Sequence, residues 1–265
     1  SKQPNAPDAV AVWNDSFTGE NHLSFSNPVV KQLHQIRLEE SLGKDVVVEI
    51  ENSEGILELF EGGIDMAESV RNLTVQGIGS LRLQTNQSWV ISAEAKLNVD
   101  TQINLNGKVL TVATQNEVIF LGGIIGEGGL KVRDSGALTL NDGDYSGKTI
   151  VENGRLEVVG TLAHSEVLVS QSGILGGTGQ IGGGAFISEN ANLCPGSQTT
   201  LGFLNFMSDL KLNGNLEVAV DPDQLPNCDQ VNVNGVLEVE MLDGQEPHQG
   251  KIKISNIGSS YASNQ

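Results

Sequence analysis

Short alternations of apolar and polar residues, each ended by Gly, Asn or Asp, run along the chain from about Asp45 onward. Alternation with a period of two predicts half-buried β-strands, and the frequent turn residues keep those strands short. In the segment 126–158 the apolar strand positions are Leu130, Val132, Leu138, Leu140, Ile150, Leu156 and Val158. No stretch shows a sustained helical period, so the pattern favours an all-β chain over a βαβ fold.

The same strand-and-turn unit recurs without identical repeats, which predicts a solenoid whose coils cover the core of their neighbours. We expect a right-handed parallel β-helix with few or no helices. At about 20 residues per coil it would have about 11 coils and form a rod of about 50–55 Å. The 32 Gly are many, while 7 Phe, 2 Trp and 2 Tyr are few for a compact sandwich, which favours a narrow interior of Val, Ile and Leu.

The rhythm of the pattern divides the chain into three parts. These are an N-terminal cap or lead-in over 1–44, a β-helix over 45–258 and a frayed tail over 259–265. Within the lead-in, residues 28–43 fit either a helix face or a strand, and we favour a strand with a loop. Two turn-rich stretches, 221–228 and 243–250, predict loops that leave the body of the β-helix.

Composition excludes several classes of partner. The net charge is −18, from 15 basic and 33 acidic residues, which opposes binding to nucleic acid or to an anionic bilayer. No run of apolar residues is long enough to predict a spanning helix or direct membrane insertion. No signal peptide begins at Ser1, so we expect a mature segment or an excised piece of a longer chain.

Residues with candidate chemistry are better explained as structure, and we expect no catalytic, cofactor-binding or metal-binding residue. The G-x-G-x-x-G match at 177–182 is followed by a turn and a strand pattern, whereas a dinucleotide site needs a helix there. Two clusters could offer oxygen ligands to calcium but lack the spacing of a calcium loop, so we assign them to turns. Their members are Asn141, Asp142, Asp144, Asp221, Asp223 and Asp229.

The two cysteines, Cys194 and Cys228, leave two interpretations open. They could form one disulfide in an oxidising compartment, or both could be small, buried side chains. The sequence does not decide between these, because a disulfide requires Cα atoms less than about 7 Å apart.

Part of the chain resembles the passenger-associated transport repeat of Gram-negative autotransporters. The matching positions are Gly126, Gly128, Gly129, Leu130, Gly136, Leu138, Thr139, Leu140, Tyr145, Gly147, Thr149, Ile150, Gly154 and Leu156. The segments 175–184, 191–206 and 228–235 resemble later segments of the same family, so the likeness covers about 120–240. Family members usually have Ala at the position of Cys194, and Ser or Tyr at that of Cys228.

The resemblance implies a secreted or surface-displayed passenger that acts as a stalk or scaffold and is not an enzyme. It implies export through an outer-membrane β-barrel that is not in this chain, aided by early folding of residues 126–240. The implied activity is adhesion or host interaction, with a surface protein or glycan of a host or neighbouring cell as partner and no cofactor. We expect the passenger to be a monomer.

Two alternatives remain. A β-helix enzyme similar to pectate lyase would need calcium-binding carboxylates and an Arg or Lys base in one groove. Its candidate arginines are Arg71, Arg82, Arg133 and Arg155, and a strongly negative rod would repel a polyanionic substrate. The other alternative is a repeat module of a non-autotransporter adhesin, which would differ only in its export.

Overall fold

The structure is a computed structural model that describes residues 5–14, 21–25, 30–197, 200–221, 228–239 and 252–256. All regular elements in these residues are β-strands, which confirms the all-β prediction. The strands are β1 Val10–Trp13, β2 His22–Phe25, β3 Val30–Leu38, β4 Val46–Ile50, β5 Ile56–Met66, β6 Leu73–Gly77, β7 Ser80–Leu83, β8 Gln87–Ile91, β9 Leu97–Val99, β10 Gln102–Asn104, β11 Lys108–Thr114, β12 Glu117–Phe120, β13 Ile124–Gly126, β14 Gly128–Arg133, β15 Ala137–Leu140, β16 Gly143–Tyr145, β17 Thr149–Glu152, β18 Arg155–Val158, β19 Thr161–Leu162, β20 Val167–Ser170, β21 Ile174–Gly177, β22 Gln180–Ile181, β23 Ala185–Ile187, β24 Asn192–Pro195, β25 Phe203–Phe206, β26 Leu210–Leu212, β27 Asn215–Val220, β28 Gln230–Val233, β29 Leu237–Val239 and β30 Ile252–Asn256.

The strands stack in parallel on three faces, as predicted for a parallel β-helix. Face 1 is an eleven-stranded sheet in the order β2-β4-β6-β9-β12-β15-β18-β21-β24-β27-β30. A nineteen-stranded sheet covers the other two faces. Face 2 contains β7, β10, β13, β16, β19, β22, β25 and β28, and face 3 contains β8, β11, β14, β17, β20, β23, β26 and β29.

The described residues make about nine turns of the solenoid, slightly fewer than the eleven predicted. The eleven strands of face 1, at about 4.8 Å spacing, give a stack about 48 Å long. The right-handed winding stays a prediction from the general handedness of parallel crossovers. The predicted loop 243–250 and tail 259–265, and most of the predicted loop 221–228, lie outside the described residues.

The parallel ladder begins upstream of the predicted boundary at residue 45. The strand β3 (Val30–Leu38) pairs in parallel with β5 and with β1, so the strand interpretation of this part of residues 28–43 is confirmed. Coil length also varies along the stack. Ala137 pairs with Arg155, 18 positions later, whereas Val47 pairs with Thr74, 27 positions later. The expected 20 residues per coil therefore describes only the middle of the molecule.

The side chains that point inward form one continuous hydrophobic core. Of the strand positions predicted in 126–158, all are buried except Ile150, which points outward and is half-buried. Val151 is buried in its place, because Thr149 also points inward and fixes the register of β17. The core is also less aliphatic than predicted, since Trp89 and Phe120 pack edge-to-face inside it with ring centroids 5.8 Å apart.

Thr149 belongs to a chain of buried hydroxyl groups at a corner between faces 2 and 3. Its Oγ1 lies 2.6 Å from the Tyr145 Oη and 2.7 Å from the Ser165 Oγ, and Ser165 donates a hydrogen bond to the Gly147 carbonyl at 2.7 Å. Burial raises the pKa of the Tyr145 phenol well above its ordinary value, against a smaller opposite effect of the hydrogen bonds with Thr149 and Ser165. The phenol therefore stays protonated as part of the interior.

Candidate binding groove

An open groove of about 520 Å³ crosses the outer surface of face 1. It is lined by outward-facing strand positions of β12, β15, β18 and β21, by the turns that precede β12, β15 and β18, by Lys96 just before β9 and by Ser197 just after β24. The lining residues are Lys96, Gln115, Asn116, Glu117, Ser135, Gly136, Ala137, Thr139, Asn153, Gly154, Arg155, Glu157, Ile174 and Ser197. The groove thus crosses the strands and follows the long axis of the solenoid.

Two ion pairs stand on either side of a floor of small residues. Glu117, Ala137, Arg155 and Ile174 occupy the same register position in successive strands. Three inter-strand spacings make this row about 14 Å long. The Lys96 Nζ lies 2.7 Å from the Glu117 carboxylate at one end. Two strands further along the row, the Arg155 Nε donates a hydrogen bond to Glu157 at 2.6 Å, so the low floor at Ala137 lies between two charged walls.

The Arg155 wall is held rigidly, because its side chain is only 10% exposed. Its Nη2 donates a hydrogen bond to the Gly196 carbonyl at 3.3 Å. The guanidinium passes over Gly176, where a Cβ atom would lie only 2.7 Å from Nη2. Gly177 and Gly196 exchange two backbone hydrogen bonds of 2.8 Å, which brings the segment after β24 over this part of face 1. The absence of a side chain at Gly176 is therefore what lets Arg155 lie flat.

A buried carboxylate fixes the same segment from the far side. Asp229 accepts hydrogen bonds from the backbone N–H groups of Gly202 at 2.8 Å and Ala219 at 2.9 Å. Desolvation raises the pKa of Asp229 above its ordinary value, while the N–H groups of Ala219 and Gly202 and the charge of Arg155 act in the opposite direction. Asp229 was predicted as a turn residue, but its hydrogen bonds are to backbone amides 27 and 10 positions earlier in the chain, so in the structure it links separate segments.

Several polar groups in the groove remain available to a ligand. The side chains of Gln115, Ser135 and Thr139 form no hydrogen bond with any other described residue, and each is exposed or half-buried. Glu117 and Glu157 each bind their cation through one oxygen, and the second oxygen has no partner in the described part of the chain. The groove can therefore both donate and accept hydrogen bonds, without a change in its ion pairs.

The structure describes most of the residues that were assigned to turns from the sequence. The G-x-G-x-x-G match contains the end of β21 and the short strand β22, and no helix begins there. Asp142 accepts a hydrogen bond from the backbone N–H of Thr161 at 2.8 Å, and Asp144 lies 3.5 Å from His164. Asp223 lies outside the described residues. Among the residues that are described, no three His, Cys, Asp or Glu side chains could hold a metal ion together.

Cys194 and Cys228 are both half-buried, and neither is part of a disulfide. The disulfide that the sequence left open is therefore not formed in this structure. Cys194 faces outward from β24, beside Gly176 of the neighbouring strand. The backbone of Cys228 forms an isolated antiparallel β-bridge with that of Val220.

Sequence reasoning missed the groove, because its charged residues come from different coils. Of the four arginines considered, only Arg155 lines it; Arg82 lies 3.7 Å from Glu58, and Arg133 lies 3.5 Å from Asp134. Only the pairing of residues between neighbouring coils indicates that these charged side chains lie together. Once coils of 18 to 20 residues are aligned, Glu117, Ala137 and Arg155 fall in one row.

Comparison with protein-family models, with curated proteins and with solved structures finds no match for this chain. Within the described residues there is no helix of the length and hydrophobicity that a membrane crossing requires. The β-helix fold alone is compatible with both passenger regions and polysaccharide-cleaving enzymes, so function has to be argued from the geometry and from the resemblance.

Proposed function

We propose that this chain is a secreted or surface-displayed β-helical passenger segment of an autotransporter, which acts as a stalk and binding scaffold and not as an enzyme. The observation that carries the proposal is the uninterrupted parallel ladder around one filled core. In such a ladder each coil is stabilised mainly by its neighbours, so it can fold one coil at a time. A chain that emerges through a pore can use this order of folding, because folded coils cannot slide back.

The positions of the resemblance have matching structural roles, which supports the proposal. Gly126 and Gly128 have positive φ angles of 94° and 123° at a corner between faces 2 and 3. Leu138 and Leu140 fill the core, and Thr149 anchors the buried hydroxyl chain. The strong negative charge of the chain keeps a displayed rod soluble and apart from other copies. We therefore propose an extracellular or cell-surface location, a monomer, and a surface protein or glycan as partner.

An export assay tests this function. The chain is placed between a secretory signal peptide and the outer-membrane barrel of a known autotransporter, and surface display is measured by accessibility to added protease and antibody. We expect the wild-type chain to reach the surface. Gly177→Ala, which disrupts the central coils, should lower the displayed fraction, and Gly184→Ala, an unstrained position, should not. A wild-type chain that stays in the periplasm would contradict the passenger assignment.

The groove is also compatible with a second function, that of a β-helix enzyme that cleaves polysaccharide. It contains two carboxylates, Glu117 and Glu157, as an acid–base mechanism requires, although each is already paired with a cation. Incubation of the purified chain with polygalacturonate and with neutral glycans, followed by analysis for shorter products, decides between the two. We expect no cleavage. Products that form with the wild-type chain but not with Glu157→Gln would show that the chain is an enzyme and would contradict the scaffold proposal.

A further inference from the structure

We propose that the groove on face 1 is a binding site for a neutral oligosaccharide. This inference rests on the proposed function, since it names the ligand class that the displayed scaffold would bind. Among the described residues, the groove forms a concave surface of about 520 Å³ that combines charged walls with hydrogen-bonding groups that have no partner in the described part of the chain. Sites with a few convergent polar groups on a preformed surface are typical of small-ligand recognition.

The backbone around the groove argues against a peptide as the ligand. Strands β12, β15, β18 and β21 each pair on both sides within face 1, so none offers a free edge for an added strand. A peptide that binds as an added strand gains its affinity from main-chain hydrogen bonds to such an edge, so that mode is not open here. A ligand in this groove must instead be held by side chains, and it must lie across the strands along the row from Glu117 to Ile174.

The charges argue for a neutral ligand. Lys96, Glu117, Arg155 and Glu157 form two ion pairs, so the groove carries no net charge, whereas the whole chain carries −18. The field of the protein repels a polyanion, and no unpaired cation in the groove compensates for that repulsion. A cationic ligand would have to displace Lys96 or Arg155 from its carboxylate, and Arg155 is also bonded to Gly196.

The hydrogen-bonding groups match the hydroxyl groups of a sugar, each of which both donates and accepts. The second oxygens of Glu117 and Glu157 can accept, and the side chains of Gln115, Ser135 and Thr139 can donate or accept. The row of about 14 Å along the solenoid axis suits a short linear oligosaccharide. Because Arg155 and Glu157 are already fixed, little side-chain freedom is lost on binding.

The test is a printed array of neutral and anionic oligosaccharides, probed with the purified full chain and followed by calorimetry with the strongest neutral binder. Thr139→Trp fills the floor of the groove with an outward-facing side chain and should weaken binding by about tenfold or more. Thr74→Trp is the matched control. Thr74 lies in the same row of face 1 as Thr139, through Asn98 and Ile119, but outside the groove, so it should bind as the wild type does.

A second measurement separates this site from an electrostatic artefact. Because the groove is neutral overall, affinity for a neutral sugar should change by less than about twofold between low and high salt. The inference is wrong if no neutral glycan binds, if only anionic glycans bind, or if Thr139→Trp binds as well as Thr74→Trp. Cleavage of the bound sugar would also overturn it, in favour of an enzyme. A chain that is exported normally but binds no glycan would leave the passenger function intact and refute only the groove.

Discussion

The tripeptide Leu-Glu-Val occurs in three strands of this solenoid, at 156–158, 216–218 and 237–239, and its burial differs in each. In β18, Leu156 and Val158 are completely buried, whereas in β29 Leu237 is 53% and Val239 is 58% exposed. In β27 the same side chains are half-buried. One local sequence thus forms a strand in all three places, although only the first lies in a closed core.

Neighbouring strands explain the difference. Strand β18 pairs with β15 on one side and β21 on the other, while β29 pairs only with β26 within the described residues. Leu237 is opposite the buried Leu210, so it points toward the axis but is covered from one direction only. The alternating pattern therefore determines the strand and the inward face, and the next coil along the axis determines how much apolar surface is removed from water.

The largest loss of stability should come from a substitution in β21, the strand that pairs with the Leu-Glu-Val of β18. Gly177 is opposite Val158, has a φ of 110°, and leaves so little room that a Cβ would overlap the Val158 carbonyl oxygen. In Gly177→Ala, left-handed strain of about 1–3 kcal/mol adds to this overlap, which only a backbone shift relieves. We expect a large loss of stability, measured by urea unfolding followed by circular dichroism.

Gly184→Ala is the control for this substitution. A Cβ at Gly184 would have its nearest neighbour at 3.8 Å, and the backbone there is not left-handed. Its stability should stay within about 0.5 kcal/mol of the wild type. Equal destabilisation by both variants would show that loss of glycine flexibility, and not close coil packing, is what matters.

The second-largest effect is a difference in stability between the same substitution made in the first and in the third Leu-Glu-Val. Leu156→Ala removes a fully buried side chain between two coils and should cost about 2–5 kcal/mol. Leu237→Ala, the same change in the same tripeptide, should cost less than about 1 kcal/mol, because much of that side chain is already in contact with water. Urea midpoints of the two variants measured side by side test this. Similar losses would mean that Leu237 is covered in solution.

The fold could largely be predicted from the sequence, because strand alternation and turn residues are local signals. Details that depend on contacts between coils could not be predicted in this way. The choice between Ile150 and Val151 as the inward residue depends on Thr149, whose hydroxyl finds Ser165 one coil away. A strand was favoured within residues 28–43, but the start of the ladder at β1 and β3 was not predicted, since long coils with irregular spacing weaken the periodic pattern.

The candidate site was harder to predict than the fold. Lys96, Glu117, Arg155 and Glu157 come from one turn and two strands on three different coils, and nothing in the local sequence of any one of them indicates a site. Their juxtaposition depends on the number of residues per coil, which changes by one or two between neighbouring coils in this region. The flat position of Arg155 further depends on a missing side chain at Gly176 in the next strand.

A third effect concerns the polar part of the central core. Tyr145→Phe removes one hydroxyl from the buried chain but leaves the hydrogen bond between Thr149 and Ser165, so it should cost about 1 kcal/mol near pH 7. The folded-state pKa of Tyr145 is raised, whereas the unfolded chain ionises near 10.0. The wild-type protein should therefore lose stability as the pH rises above about 10, and this loss should be smaller in Tyr145→Phe.

Unfolding by urea at several pH values between 8 and 11 measures this dependence. Absorbance of phenolate provides an independent check, because the folded wild-type protein and Tyr145→Phe should show the same titration near pH 10. Extra phenolate in the wild-type protein at that pH, without unfolding, would show that Tyr145 is accessible to water and would remove the basis of the prediction.

The smallest effect concerns the amide pair that links β25 to β28, in the region where burial decreases. The Asn232 Nδ2 donates a hydrogen bond to the Asn205 Oδ1 at 2.8 Å, on the outer surface of face 2. Because water competes for both amides, a double-mutant cycle with Asn205→Ala and Asn232→Ala should give a coupling of only about 0.5 kcal/mol. On face 1, the Asn215 Nδ2 donates a hydrogen bond to the Asn192 Oδ1 at 3.0 Å, and this pair is less exposed. The same cycle on Asn192 and Asn215 should give an equal or larger coupling energy. A coupling above about 1.5 kcal/mol at Asn205 would mean that surface amides hold the less buried coils in place, whereas the contrast between Leu156 and Leu237 attributes that role to the apolar core.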